Sequence, residues 1–393
     1  MSNKKIITRR DFLIKSAFGS AGIAFANSVI SGKSPAVSGA NERFRIGVIG
    51  LGNRGVQHLN HFLSLPNVEV VALCDIQESA LLRAASILDK SGHKTPRKVF
   101  DYRRLLDLND IDAVSVAVPR DLRTAFGIDG VKSGKPIFIE KPFSANIKEG
   151  RKMVAEAQKY NQLVQQRDSD FFGAGTDFEG ISKFSSIGRI ERIAGTKSVY
   201  FPFSKVDNDR YDVAVLSETA FDELDFSRCL MECEIPSKIS TFGSLSNYSY
   251  SPIKNLMTQF EFSGKEGTKH INLELRFSSN HYRNIYFSNN GQHKSLHELE
   301  FQSALKILGT NGEIVINSDS RMLSNIMESN FSNFVRCVKE RNNNGLVNPA
   351  EVARKSNLLV HLMELSLNFK RGFDFNPETE TVMNDEQINN YIK

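Results

Sequence analysis

The stretch FRIGVIGLGNRGVQHL, Phe44 to Leu59, decides how the chain is read. A short apolar run, Ile46, Val48 and Ile49, ends in Gly50-Leu-Gly52-Asn53-Arg54-Gly55 and passes straight into a helical pattern, so the segment reads as strand, tight turn, helix. Glycines at this spacing make a cradle for a pyrophosphate. Gly50 permits the tight turn, Gly52 lets backbone N–H groups approach the phosphates, and Gly55 lets helix and strand pack closely. The anion then sits on the positive end of a helix opened by Asn53 and Arg54.

Glycine pairs also mark ordinary turns, so the surroundings matter. A second strand, Val68 to Cys74, follows the first helix and ends at Asp75, 20 residues past Gly55. A carboxylate there accepts hydrogen bonds from adenosine ribose hydroxyls and repels a 2′-phosphate, which favours NAD over NADP. The rhythm then continues: helix Glu78 to Leu88, strand Lys98 to Phe100, strand Asp112 to Val118, helix Leu122 to Ser133, strand Pro136 to Ile139, helix Ile147 to Tyr160 and strand Gln162 to Gln166. Alternation of this kind predicts an α/β fold with a doubly wound parallel sheet whose ligands lie beyond the strand C-termini. Pro119, Glu140 and Lys141 fall on that edge.

The glycine turn, the strand-ending Asp75, DAVSVAVP (Asp112–Pro119) and SGKPIFIEKPFS (Ser133–Ser144) together resemble the glucose-fructose oxidoreductase and inositol dehydrogenase family (Gfo/Idh/MocA), over about Phe44 to Tyr391. The resemblance implies a Glu-Lys-Pro tripeptide bordering the nicotinamide of NAD, and a lysine, here Lys141, that hydrogen-bonds the substrate hydroxyl being oxidised. An ammonium beside a carbinol polarises its O–H and stabilises developing alkoxide charge. The Gln166-Arg167 pair resembles residues lining the nicotinamide side, and Arg167 alternatively binds a carboxylate or forms a structural ion pair.

The second half has another grammar. A helix near Asp177 to Phe184 and a strand Gly188 to Tyr200 lead to a helix, Leu216 to Met231; strands follow at Lys238–Ser244, Asn255–Ser263, Thr268–Phe277, Arg283–Phe287, Ala304–Leu308 and Glu313–Ile316. One helix and then successive hairpins predict an α+β domain with an open, largely antiparallel sheet. Two helical patterns, Met322–Arg341 and Pro349–Lys370, close the chain. The expected division is 1–40 export signal, 41–166 NAD-binding domain, 167–330 substrate and oligomerisation domain, and 331–393 helices and tail packing on both. By resemblance the open sheet supports a substrate pocket and subunit contacts, so a homo-oligomer is implied. The tail resembles the secreted, sugar-directed branch near the NAD-dependent α-N-acetylgalactosaminidases.

The resemblance departs at the helix LSETAFDELDFSR (Leu216–Arg228). The family commonly has Asp, His, Asp and Arg where this chain has Glu218, Asp222, Asp225 and Arg228. Glu218 and Asp222, four apart, share a helix face. Asp222 in place of the usual catalytic His starts as a weak base unless burial or Glu218 raises it. The alternative is that Glu218, Asp222, Glu223 and Asp225 form a solvated acidic face. Arg123 stands where the family often has His, and the chain has no Trp to stack a sugar, leaving Tyr200, Tyr211, Tyr282 and Tyr286.

The net charge of +5 invites a nucleic-acid partner. Removing the six basic residues and one acid of residues 1–40 leaves 44 of each sign, so no basic footprint for nucleic acid or membrane remains. Those first residues carry Thr8-Arg9-Arg10-Asp11-Phe12-Leu13 and a weakly apolar run too short and polar to span a bilayer. They resemble a twin-arginine signal, which implies a periplasmic or otherwise exported protein. Cys74, Cys229, Cys233 and Cys337 form no disulfide framework; Cys229 and Cys233, four apart on the expected helix, read as buried thiols, and His270, His281, His293 and His297 lack metal-ligand spacing. No metal is expected. The function expected is an oxidoreductase acting on a sugar or glycoside hydroxyl by hydride transfer to NAD, with Lys141, Asp222 and Glu218 catalytic. Alternatives are a glycoside hydrolase or lyase working by transient oxidation, and a sugar-binding or partner protein that keeps NAD after losing catalysis.

Overall fold

A computed structural model describes residues 43–168, 186–200, 213–244, 255–265, 267–278, 303–317 and 324–392. The expected export signal, the helix near Asp177 and the strand from Arg283 lie outside the described residues. Contacts divide the chain into two units, Met1–Phe172 with Ser324–Leu358, and Gly173–Leu323 with Leu359–Lys393. The boundary therefore differs from the sequence division, and the C-terminal segment is shared: its first part clusters with the first unit and the remainder with the second.

The first unit holds six strands, β1 (Phe44–Ile49), β2 (Val68–Cys74), β3 (Arg97–Val99), β4 (Ala113–Val116), β5 (Ile137–Ile139) and β6 (Val164–Gln166). They are hydrogen-bonded in the order β3-β2-β1-β4-β5-β6, all pairs parallel. The connecting helices are α1 (Asn53–Ser64), α2 (Glu78–Lys90), α3 (Tyr102–Leu106), α4 (Arg120–Lys132) and α5 (Ile147–Lys159). Helices cover both faces, which is why the central strands β4 and β5 are buried along their whole length instead of alternating. One core layer gathers Ile46, Val48, Val70 and Phe138 with Leu59 and Phe62 of α1 and Phe331 and Phe334 of α7 (Ser324–Glu340). The other gathers Ile49, Val114, Val116, Ile137 and Ile139 with Ile128, Val131 and Met153. The short helix α3 was not anticipated; Asp101 caps it by accepting the Arg103 N–H.

The second unit carries β7 (Ile190–Tyr200), α6 (Val213–Leu230), β8 (Lys238–Ser244), β9 (Asn255–Gly264), β10 (Gly267–Ser278), β11 (Ser303–Gly309) and β12 (Gly312–Asn317). Helix α8 (Ala350–Asn368) begins in the first unit and its part from Leu359 belongs to the second, followed by a hairpin of β13 (Phe373–Asn376) and β14 (Thr381–Val382) and helix α9 (Glu386–Ile392). Among the described residues one open sheet runs β12-β11-β7-β10-β9-β8-β13-β14. Its pairs are antiparallel except β7 with β10, which run parallel along Arg192–Tyr200 and His270–Ser278. Helix α6 separates β7 from the β8–β9–β10 meander, so the meander's third strand returns beside β7 in the same direction. The Gly309–Gly312 turn closes the β11–β12 hairpin as the sequence predicts.

Candidate active site

Each glycine of the opening turn has a distinct mechanical job. Gly50 sits at φ +84°, and a Cβ there would lie 2.6 Å from the Ala117 carbonyl oxygen. At Gly55 a Cβ would lie 1.8 Å from the Gly50 oxygen, so the start of α1 is pressed against the end of β1. Gly52 is the opposite case, with nothing within 4 Å of where a Cβ would stand. It is the N-cap of α1, and no side chain caps it and no acid occupies the first turn. Gly52, Asn53 and Arg54 are all exposed, at the positive end of a helix. Asp75 lies at the end of the neighbouring strand, half-buried; its carboxylate accepts the Leu51 N–H at 2.7 Å and the Gln77 N–H at 2.9 Å. These bonds fix the carboxylate beside the turn and leave acceptor capacity for a diol. Turn, open space and carboxylate fit a dinucleotide.

The same parallel edge presents Pro119, the exposed N-cap residue of α4, and Glu140-Lys141 after β5. Glu140, expected to bind cofactor, is turned inward at 2% exposure. Its Oε2 meets His58 Nε2 at 2.8 Å, and its Oε1 meets Arg167 Nη1 at 3.3 Å and the Lys141 N–H at 3.1 Å. Arg167, also expected at the cofactor, is 1% exposed and spends its charge on that carboxylate. Both residues are thus buried partners in one cluster that holds this edge in place. The reason is electrostatic: a guanidinium this deep needs a carboxylate partner.

His58 completes the group, and its Nδ1 lies 2.9 Å from Ser115 Oγ. Phe138 and Phe331 meet its ring edge-on, at centroid distances of 5.3 and 5.4 Å. Burial holds the imidazole below its ordinary range despite the Glu140 contact. A neutral ring with the proton on Nε2 satisfies both bonds, donating to Glu140 and accepting from Ser115. Burial works against ionising Glu140, but Arg167 and the His58 hydrogen bond outweigh it and keep the carboxyl well below the usual range. Sequence reasoning passed over His58, although it shares the buried face of α1 with Gly55, Leu59 and Phe62. A polar residue on an apolar helical stripe is the signal that finds it.

Lys141 is 7% exposed and the Lys141–Pro142 peptide is cis. The segment that follows is held by Gln166, whose Oε1 accepts both the Phe143 N–H and the Asn357 Nδ2, each at 2.9 Å. Helix α4 grips it through Arg120, Arg123 and Thr124. Arg123 is thus a buried structural donor, a role that its match to a family histidine position did not suggest.

In the second unit, α6 carries the acidic residues in separate environments. Glu223 and Asp225 are buried at 1% and 0%, so the expected alternative of a wholly solvated acidic face does not hold. Glu223 pairs with Lys197 of β7 at 2.9 Å, and that ammonium also donates to the Thr219 carbonyl at 2.7 Å. Asp222 is half-buried. The side chain of Glu218 lies outside the described residues, as do that of Tyr200 and the whole of Tyr211, Tyr282, Tyr286, His281, His293 and His297. His270 is half-buried in β10. Arg228 donates to the Cys233 carbonyl at 3.1 Å. Cys233 lies past the end of α6, so it does not share that helix with Cys229; all four cysteines are buried and none forms a disulfide, and burial pushes the Cys74 thiol to about 12. Among the described residues no cluster of three metal-ligating side chains occurs, and no helix is long and apolar enough to cross a membrane.

Residues 44–167 match the model of the Gfo/Idh/MocA oxidoreductase family, described as an NAD-binding Rossmann fold. Among curated proteins, the chain is 31% identical over 175 residues to a glycosyl hydrolase family 109 protein of Saccharopolyspora erythraea, covering 40% of this chain and 38% of that one. It is 30% identical over 185 residues to an α-N-acetylgalactosaminidase of Shewanella oneidensis, covering 42% and 40%. The matched stretch therefore spans about two fifths of these relatives' length. Among solved structures, myo-inositol dehydrogenase of Lactobacillus casei in complex with NAD(H) and myo-inositol superposes with a TM-score of 0.64 at 15% identity, over 89% of this chain and 100% of that one. A UDP-N-acetylglucosamine 3-dehydrogenase of Acidithiobacillus ferrooxidans gives 0.61 at 14% identity, over 82% and 97%. At such identities the likeness shows a shared fold.

Proposed function

We propose, from the match of residues 44–167 to the NAD-binding Rossmann oxidoreductase family model, that the protein is an exported NAD-dependent oxidoreductase acting on a hydroxyl of a sugar or glycoside. The observation that carries this reading is the make-up of one sheet edge, where an uncapped helix start open at Gly52, the Asp75 carboxylate and Lys141 follow the ends of β1, β2 and β5. The N–H groups of Gly52, Asn53 and Arg54 hold the diphosphate, and Asp75 takes the adenosine ribose. NAD, when bound, supplies the hydride acceptor. Lys141 polarises the substrate O–H and stabilises the alkoxide charge that develops as the C–H bond breaks. Asp222 accepts the proton, with Glu218 as its partner on α6. Glu140 and Arg167 anchor the lysine segment.

The sugar class is supported by the names carried by the curated relatives and by the polyol in the inositol dehydrogenase complex. Export is supported by the twin-arginine pattern at Thr8–Leu13. A homo-oligomer is supported by Phe242 and Met257, cross-strand neighbours on β8 and β9 that are 66% and 57% exposed in the single chain.

A second reading is favoured by the relative named as a glycosidase. In it the sugar hydroxyl is oxidised transiently, the aglycone is eliminated and the hydride returns, leaving no net redox change. One experiment separates the readings. The mature chain is purified without added cofactor, its nucleotide is released by denaturation and identified, and glycosides are screened for aglycone release and for reduced-nicotinamide absorbance. Net reduction supports the dehydrogenase. Aglycone release without it supports the glycosidase, and bound NAD with neither signal indicates a lapsed catalyst. Failure to bind any nucleotide defeats all three.

A further inference from the structure

The segment after β5 makes an unusual demand on its surroundings. Strand pairing stops at Ile139, yet Glu140, Lys141, Pro142, Phe143 and Ser144 are all buried. Buried carbonyls need donors, and here five consecutive ones obtain them from a single helix. Arg123 Nη1 donates to the Lys141 carbonyl at 2.7 Å and to the Pro142 carbonyl at 3.0 Å. Thr124 Oγ1 donates to Phe143 at 3.0 Å, Arg120 Nε to Ser144 at 3.3 Å, and Arg120 Nη2 to Ala145 at 3.0 Å. Arg123 Nε also donates to the Val118 carbonyl at 2.9 Å, one residue before α4's N-cap Pro119. Both arginines are buried, at 6% and 7% exposure.

We propose that Arg123, supported by Arg120 and Thr124, is a positioning residue that fixes where Lys141 projects from the sheet edge. The inference rests on the reading of Lys141 as the residue that polarises the hydroxyl. Lys141 is pinned on both sides of its Cα: its N–H is held by Glu140 and its carbonyl by Arg123. The root of a long, flexible side chain is thereby immobilised. A planar guanidinium reaches Val118, Lys141 and Pro142 together, which the single point of a lysine ammonium does not. Because Arg123 also holds Val118, the grip ties the Lys141 root to the edge from which α4 starts. Displacing a reacting group by about 1 Å costs about a hundredfold in rate, so such a grip has catalytic value well beyond satisfying carbonyls.

The test compares wild type with Arg123→Ala and Arg123→Lys, in the full mature chain with NAD added. Two quantities are read without any substrate: hydrogen exchange of the Lys141 and Phe143 amides, and the acylation rate of the Lys141 amine by acetic anhydride. Arg123→Ala is expected to raise both by about tenfold or more through local opening, with exchange in β1, β2 and β4 unchanged. Arg123→Lys should fall between, and methylguanidinium should restore Arg123→Ala towards wild type. Unchanged exchange and labelling, or acceleration spread evenly across the domain without methylguanidinium rescue, would overturn the proposal. Should Arg123→Ala fail to fold, Thr124→Val and Arg120→Lys are read in the same way. Lys141→Ala, assayed for hydride transfer with myo-inositol and with 4-nitrophenyl α-N-acetylgalactosaminide, tests the underlying reading separately. Transfer that survives Lys141→Ala removes the role of Lys141 while leaving the exchange result standing.

Discussion

Around Glu140 three chain segments converge on one carboxylate: His58 from α1, Arg167 from beyond β6 and the amide of Lys141, with every partner buried. Around Asp222 the arrangement is looser in design, since α6 buries Glu223 against Lys197 and sinks Asp225 entirely, while Asp222, just before them, stays half-buried. The first region spends its charges on holding a backbone in place; the second spends two acids on packing a helix and leaves a third towards solvent. A charge that is buried among its partners organises its neighbours, whereas a half-buried one keeps contact with solvent. The two halves of the proposed chemistry, holding and proton transfer, follow that division.

The largest expected effect tests the holding half. Glu140→Ala leaves Arg167 and His58 buried without their shared acceptor, and losing one member of a buried ion pair costs about 3–5 kcal/mol. Chemical denaturation of the first domain should show a loss of that size. A loss under about 1 kcal/mol, as for an exposed pair, would break the contrast between the two regions.

Next come the two residues assigned to chemistry. Lys141→Ala should leave the fold intact and lower hydride transfer by about 10²–10³, the range for removing one preorganised electrostatic donor. Asp222→Asn should lower it by about a hundredfold, the low end for a general base. Single-turnover kinetics with NAD already bound reads both. If Asp222→Asn is silent while Lys141→Ala is not, α6 serves packing alone and the proton leaves by another route.

The same division explains what could be read before the structure was known. Gly50, Gly52, Gly55 and Asp75 act within one βα turn and its neighbouring strand, where a few residues' spacing dictates the geometry. A Cβ at Gly50 or Gly55 would run into backbone, as a tight turn and a close helix–strand approach require. The parallel pairing of the first sheet followed from the βα rhythm, but the parallel pairing of β7 with β10 depends on a strand returning across a meander, which no local pattern encodes. Arg120 and Arg123 were hidden for a similar reason. Their partners are backbone carbonyls some 20 residues away, and a carbonyl leaves no mark in a sequence. Glu140 and Arg167 lay at the predicted edge, yet which way they turn was decided by His58, from a helix more than 80 residues earlier than Glu140.

The smallest effect expected is a pH dependence of stability, and it probes whether His58 belongs to the holding region as a neutral donor. Burial lowers the pKa of the folded imidazole below its ordinary 6.5, so between those two values the unfolded chain binds a proton that the folded chain refuses. Stability from this group is thus complete above about pH 6.5 and falls as the pH drops towards the folded value. Glu140 acts in the same direction at lower pH, because its folded pKa is also depressed: its contribution is complete above its ordinary 4.5 and is lost as acid reaches the folded value. The upper limb therefore belongs to the histidine. His58→Gln keeps an amide donor for Glu140 and removes the titration, so its stability should stay flatter than wild type between pH 7 and 5 and rejoin the common acid loss below. Identical slopes in that window would mean that His58 titrates alike folded and unfolded, and that the cluster's cohesion rests on Arg167 alone.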